Sequence, residues 1–244
     1  MKSLLQNYDF RPGLKGSALT LLGVALFLSL MVWQIGRAEQ KRQLQAEFEA
    51  RRALPVLDYA GGALDISAMR YRKVRLSGHF MRTGQLLLDN VVNEGRPGYE
   101  VITPFRLDTG DTLLVDRGWV PQGPSRAVLP DFGVEERAVK IAGWLDRHRS
   151  RPVIGGDAAH TGDDLRWFYV DVVEYRKFSG LEVPDFVIHL APESPYGYQR
   201  TQPRYDANVG MHIGYAIQWG VFALIAAGTW LALSFRRRDS GTAP

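Results

Sequence analysis

The chain has 244 residues, 45% of them hydrophobic and 23% charged, which suits one folded domain or two small ones and excludes a disordered chain. It has no cysteine, which excludes disulfides, thiolate zinc sites, iron–sulfur clusters, cysteine nucleophiles and redox thiols. The net charge of +4 would suit a nucleic-acid partner if it were spread along the chain, but it is not.

The N-terminal tail, 1–16, carries Lys2, Arg11 and Lys15 against Asp9. A stretch of 21 residues without charge follows, from Gly16 to Gly36. At 1.5 Å per residue it covers the ~30 Å of a bilayer core, so residues 17–36 are expected to form a transmembrane helix. The run is long for the apolar part of a signal peptide, and the tail before it is too short and too acidic for a transit peptide, so a retained span is expected. Residues 37–52 are polar and lack Gly and Pro, so the helix should continue out of the membrane until Pro55 stops it.

Short strand patterns then follow at close spacing: Tyr71–Leu76, Gln85–Leu88, Tyr99–Leu107, Thr112–Val120, Val139–Leu145, Trp167–Val173 and Phe186–Leu190. Turn formers separate them at Gly78, Thr83-Gly84, Gly95-Arg96-Pro97-Gly98, Thr109-Gly110-Asp111 and Pro121-Gln122-Gly123-Pro124. Nothing between 60 and 205 reads as a long helix. The stretch 155–164 is rich in Gly and Asp and reads as an exposed loop, and 191–206 as an irregular lead into a second span. That span lies in the 29 uncharged residues from Ala207 to Phe235, with 211–235 as the transmembrane helix. The C-terminal tail, 236–244, opens with Arg236, Arg237 and Arg238 against Asp239.

The fold class expected is therefore a membrane protein, with two transmembrane α-helices flanking a mainly-β (antiparallel, α+β) domain at 37–206, for which a partly closed barrel is one candidate architecture. The two tails account for the whole net charge, because 37–206 carries 24 bases and 24 acids. A neutral domain has no footprint for a phosphate backbone, so no nucleic acid is expected. Basic tails beside spans follow the positive-inside rule, which puts both termini in the cytoplasm and the central domain in the periplasm of a bacterial inner membrane.

No nucleophile elbow, zinc-protease helix, phosphate loop or dinucleotide fingerprint is present. Of five histidines, His79, His148, His160 and His189 show no metal-ligand spacing and read as structural or surface residues. His212 differs, because it stands at the entry of the second span, where an ionisable side chain is a functional candidate. Tyr215, Ala216 and Trp219 follow at i+3, i+4 and i+7 on the same face. Two readings stand: an axial ligand for haem iron, or an interfacial belt residue. Trp33 and Gln34 at the outer end of the first span have the same status, Trp33 as a belt residue and Gln34 as an interhelical hydrogen-bonding group. Five scattered Met and no Cys are a poor set for copper delivery.

Four segments resemble the Surfeit-locus-one family (Shy-one in yeast) of cytochrome c oxidase assembly factors. Trp33-Gln34-x-x-Arg37 ends the first span, and Tyr71-Arg72-Lys73-Val74 leads to Gly78-x-Phe80. Gly98-Tyr99-x-Val101-x-Thr103-Pro104-Phe105 precedes Leu114-Val115-Asp116-Arg117-Gly118-Trp119-Val120-Pro121. His212-x-x-Tyr215-Ala216-x-Gln218-Trp219 opens the second span. Two places depart from the family pattern. Met31 stands where a glycine is usual, and Met211, not Asn, precedes His212. The resemblance implies a non-enzymatic role in building the haem a centre of oxidase subunit I. Haem a would be received from haem a synthase as transient cargo, with His212 as the iron ligand. Trp33, Gln34, Arg37, Tyr215 and Trp219 would line or support the site, Arg37 facing a haem propionate. Arg117 and Trp119 are expected to close a strand and its turn, without a ligand role. A cofactor-free scaffold for subunit I is the alternative within the family. A membrane-tethered periplasmic hydrolase or receptor is the remote one, and it requires paired titratable groups in a pocket within 55–205.

Overall fold

The computed structural model describes residues 8–148, 159, 165–200 and 207–237. His160 and most of the Gly/Asp-rich stretch lie outside the described residues, as do 201–206 and the outer parts of both tails. The elements in chain order are β1 (Tyr8–Phe10), α1 (Leu14–Ala53), β2 (Leu57–Asp58), α2 (Ile66–Met69), β3 (Lys73–Phe80), β4 (Leu86–Asn93) and β5 (Arg96–Leu107). They continue with β6 (Thr112–Pro121), β7 (Ala138–Asp146), β8 (Arg166–Trp167), α3 (Val172–Ser179), β9 (Val187–Leu190), α4 (Val209–Ser234) and β10 (Phe235–Arg237). They form two compact units, Met1–Glu47 with Tyr205–Pro244, and Phe48–Arg204.

In the first unit α1 and α4 are both long and apolar enough to cross a membrane. Their apolar side chains are mostly bare: Leu19 is 74% exposed, Leu224 74% and Leu233 76%. A core helix of a soluble protein would bury them, so these faces need lipid. The helices run antiparallel. The Trp230 indole N–H donates to Ser17 Oγ at 2.9 Å. Further along, Phe27 meets Phe222 and Trp219 at ring-centroid distances of 5.8 and 5.9 Å. Gln34 meets His212 at the other end. From Ser17 to Gln34 the contact extends about 25 Å along α1. Beyond the helices, β1 and β10 pair antiparallel, Tyr8 with Arg237 and Phe10 with Phe235. Sequence reading had taken these residues as plain tails. A three-residue ribbon has no periodicity to detect, and it forms because the helix pair brings its ends together.

In the second unit, eight strands form one sheet in the order β2-β3-β7-β9-β6-β5-β4-β8, and β3 also pairs with β5. That extra pairing closes β3, β7, β9, β6 and β5 into a ring, a small barrel. Closure occurs at Gly78, which pairs with Val139 on one side and Leu107 on the other. A Cβ there would overlap the Arg106 carbonyl. Gly78 is thus a strand residue where two backbones meet, not the turn expected for it. Phe80, Phe105, Leu113, Val115, Ile141 and Ile188 belong to the main core cluster. A second cluster, around Leu114, Trp167 and Tyr175, includes α3.

Two further expectations need correction. The tip of the β4–β5 hairpin is Glu94-Gly95, both with left-handed φ (49° and 78°), so Arg96-Pro97-Gly98 belong to β5. Trp167–Val173 is not one strand. Only Arg166–Trp167 pairs, with β4, and a helix starts at Val172. Asp171 caps it by accepting from the Glu174 N–H at 3.0 Å, and Gly180 ends it at φ 68°. Capping and burial of Tyr175 outweigh the strand preference of Val172-Val173. The strands expected at Thr112–Val120, Val139–Leu145 and Phe186–Leu190, the continuation of α1 to Ala53 and the Thr109-Gly110-Asp111 turn agree with expectation, whereas β3 runs on to Phe80 and β4 to Asn93, four and five residues past their expected ends. In the turn the Gly110 N–H donates to the Leu107 carbonyl at 2.9 Å.

Candidate functional site

The polar contact at the outer end of the helix pair is the candidate site. Gln34 is buried on α1, with 8% of its surface exposed. Its Oε1 lies 2.8 Å from Nδ1 of His212, in the first turn of α4. An amide oxygen only accepts, so this contact puts a proton on Nδ1, and in the neutral ring the lone pair is then on Nε2. A metal-binding histidine is oriented in this way, its second nitrogen donating to a fixed acceptor. Ala216, one turn further along α4, is buried and keeps that face low.

The other expected residues are distributed around this pair. Trp219 faces α1, stacked on Phe27 with 20° between ring planes. Trp33 and Tyr215 are 56% and 46% exposed. Arg37 is exposed one turn beyond Gln34, and its guanidinium donates to Gln40 Oε1 at 3.2 Å. These three make no hydrogen bond or ring contact with the Gln34–His212 pair. The structure thus joins His212 to Gln34, seats Trp219 in the helix interface, and leaves Trp33, Tyr215 and Arg37 accessible to a ligand or to lipid.

Both departures from the family pattern have a structural counterpart. Met31 packs over Gly220, where an added Cβ would lie 3.2 Å from its sulfur, so the glycine of this close contact is on α4. Asn208 is the N-cap of α4 in a left-handed conformation and forms no side-chain cap. The amide that orients His212 comes instead from Gln34 across the helix interface.

The barrel carries a second polar group. A cavity of about 310 Å³ is lined by Glu100, Asp116, Trp119, Asp146, His189 and Arg200, among others. Asp116 Oδ2 lies 2.7 Å from His189 Nδ1, and its Oδ1 accepts from the Gly118 N–H at 2.9 Å. Burial opposes a charge on His189, but the hydrogen bond and charge of Asp116, with Asp146 and Glu100 beyond, hold its pKa above the ordinary value. Sequence reading had His189 as an ordinary strand residue and had no signal for the pairing, because 73 positions separate the partners. The cavity has paired titratable groups, as the hydrolase reading requires, but no Ser or Thr lines it among the described residues. No group of His, Asp and Glu suited to a metal occurs among the described residues.

Arg117 and Trp119 have structural roles, as expected. Arg117, 4% exposed, donates to the carbonyls of Tyr196 at 2.8 Å, Phe132 at 3.2 Å and Gly133 at 3.3 Å. It ties two long loops to β6. Gly118, at φ 108°, lies against Gln199 and Arg200 with no room for a Cβ. The Trp119 indole covers Gly98 and donates to the Val91 carbonyl at 3.1 Å.

These features define a membrane protein in which two apolar helices flank a small, mostly antiparallel barrel, with β6 and β9 as its parallel pair. The chain belongs to the SURF1 family, whose model matches residues 21–224. It is 27% identical to a SURF1-like protein of Monosiga brevicollis, over 87% of this chain and 84% of that one. It is 28% identical to an uncharacterized SURF1-like protein of Mycobacterium bovis, over 96% and 90%. It is also 28% identical to Surfeit locus protein 1 of Mus musculus, over 86% and 72%.

Proposed function

We propose that this protein is a bacterial assembly factor for cytochrome c oxidase that holds haem a and helps place it in subunit I. The SURF1 family is one of oxidase assembly factors, not catalysts. The observation that carries the haem reading is the Gln34–His212 hydrogen bond, which leaves Nε2 as a free, oriented donor at a membrane entry. Trp33, Tyr215 and Trp219 supply flat apolar surface beside it, and Arg37 offers a guanidinium for a propionate. Haem a synthase is the expected donor of the cargo. One protein ligand, on a helix pair whose outer faces are bare, suits holding that must be reversible.

The basic residues beside the spans support cytoplasmic termini and a periplasmic barrel in the inner membrane. The pairing of β1 with β10 supports a common side for both tails.

Coexpression with haem a synthase, purification in mild detergent and a pyridine haemochrome spectrum test the reading. Near-stoichiometric haem a in the wild type, lost in His212→Ala, is expected. Haem retained by His212→Ala moves the ligand elsewhere. A wild type without haem overturns the carrier reading and leaves a scaffold for subunit I.

A further inference from the structure

At the end of the helix pair away from His212, a groove of about 450 Å³ opens between α1 and α4. Gly13, just before α1, and Gly16, Thr20 and Gly23 on α1 line it, with Ala226 and Thr229 among the lining residues of α4. Small residues in membrane helices ordinarily let two backbones approach closely. These glycines do not serve that purpose. A Cβ added to Gly13, Gly16 or Gly23 would meet nothing within 4 Å, whereas one on Gly220 would touch Met31. The missing side chains therefore leave open space, and its wall is mostly apolar. The Trp230 indole, which also lines the groove, is held on Ser17 and against Phe10.

The mouth of the groove is basic. Ser234 lines it and accepts from the Arg11 N–H at 2.7 Å, and Arg236 and Arg237 follow in β10. Lys15 lies between the lining residues Gly13 and Gly16. The Arg11 guanidinium is paired with Asp9, but Lys15, Arg236 and Arg237 form no ion pair among the described residues. Apolar space within the membrane, with unpaired cations at the headgroup level, matches one molecule in both its parts.

We propose that this groove is a binding site for an anionic phospholipid of the leaflet that faces the two termini. An acyl chain lies along Gly16, Thr20 and Gly23, and the phosphate meets Lys15 and Arg237. Arg237 shares a strand face with Phe235, which packs with Phe10 beside Trp230, whereas Arg236 lies on the other face opposite Asp9. The groove's nearer end, at Gly23, is about 16 Å from Gln34 along α1, and the site does not depend on haem binding.

The test uses the full chain in nanodiscs of equal phosphatidylcholine and phosphatidylglycerol, with native mass spectrometry of the released protein. The expected result is one retained phosphatidylglycerol in clear excess over phosphatidylcholine. The double variant Gly16→Leu/Gly23→Leu fills the groove and should lose the retained lipid, while Gly228→Leu, outside the groove, keeps it. Arg237→Gln leaves the helices untouched and should cut the preference for phosphatidylglycerol roughly fivefold. Equal retention of the two lipids, no retained lipid in the wild type, retention unchanged by filling the groove, or a dimer in place of the lipid adduct would each overturn the proposal.

Discussion

The helix pair and the barrel reach specificity by opposite routes. In the barrel, position is decided by burial. Phe80, Phe105, Leu114 and Val115 are sealed from solvent, and a buried arginine ties the loops down. In the helix pair the apolar surface faces outward, because lipid and leucine are equally apolar and burial gives no preference between them. Register there depends on a few directional contacts: Trp230 to Ser17 at one end, aromatic contacts in the middle, and Gln34 to His212 at the other. A residue in the barrel is therefore held by many neighbours, and one in the helix pair by one or two. The proposed haem ligand belongs to the second kind, which would suit the reversible holding proposed for it.

The sharpest test of this contrast is a cavity in the barrel. Phe105→Ala should cost about 3–5 kcal/mol of unfolding free energy, read by denaturant titration of tryptophan fluorescence in detergent. A loss below about 1 kcal/mol would mean that the barrel is held by something other than its core. Arg117→Ala comes next, at about 2–3 kcal/mol, because three backbone carbonyls lose a charged donor. Burial pushes the Arg117 guanidinium below its ordinary value, with Tyr198 opposing, and arginine remains charged throughout. Early proteolysis within 129–136 or 195–200, where its loops lie, should accompany the loss.

A pH series separates the polar contact of the barrel from its core. The pKa of His189 is raised in the folded state, so its contribution is complete below the unfolded value of about 6.5 and disappears as pH rises through the folded value. Burial lowers the pKa of His148, which has the opposite sign and favours the folded state as pH rises. The difference between wild type and His189→Gln isolates the first group. That difference should be largest at acid pH and shrink toward pH 8. A pH-independent difference would show that Asp116 does not act through the charge on His189.

The smallest stability change belongs to the helix pair. Gln34→Leu removes one interhelical hydrogen bond and should cost about 0.6 kcal/mol, measured by unfolding in detergent. Haem occupancy should nonetheless fall by roughly 10- to 100-fold, because the acceptor that orients His212 is gone. If Gln34→Leu binds haem as the wild type does, the amide is only a helix-packing contact.

Much of this was legible in the chain. The absence of charge over 21 and 29 residues marks two spans, since few soluble helices stay uncharged on every face. Alternation with turn formers marks β6, β7 and β9 within a residue or two of both ends, and it finds β3, β4 and β5 with one end three to five residues short. His212 was singled out because an ionisable group at membrane depth calls for a reason. Gln34 was noted as a group for interhelical bonding, but its partner was not identified. Periodicity shows which face a residue occupies and nothing of what stands opposite 178 residues away. The failures have the same source. Gly78 read as a turn because glycine is permissive in any setting, and only the close approach of Arg106 shows it to be a closure point. Val172-Val173 read as strand because the helix is decided by an aspartate cap and a buried tyrosine.

By itself, then, the sequence determined composition-level facts: two spans, a neutral domain between them, basic ends, strand alternation and a histidine at a membrane boundary. These follow from local patterns of charge and hydropathy, which need no partner to be read. Only the tertiary structure decided which residues meet: Gln34 with His212, Asp116 with His189, Met31 with Gly220, and β3 with β5 to close the barrel. Contacts between distant positions depend on how the chain returns on itself, and a single sequence carries no record of that path.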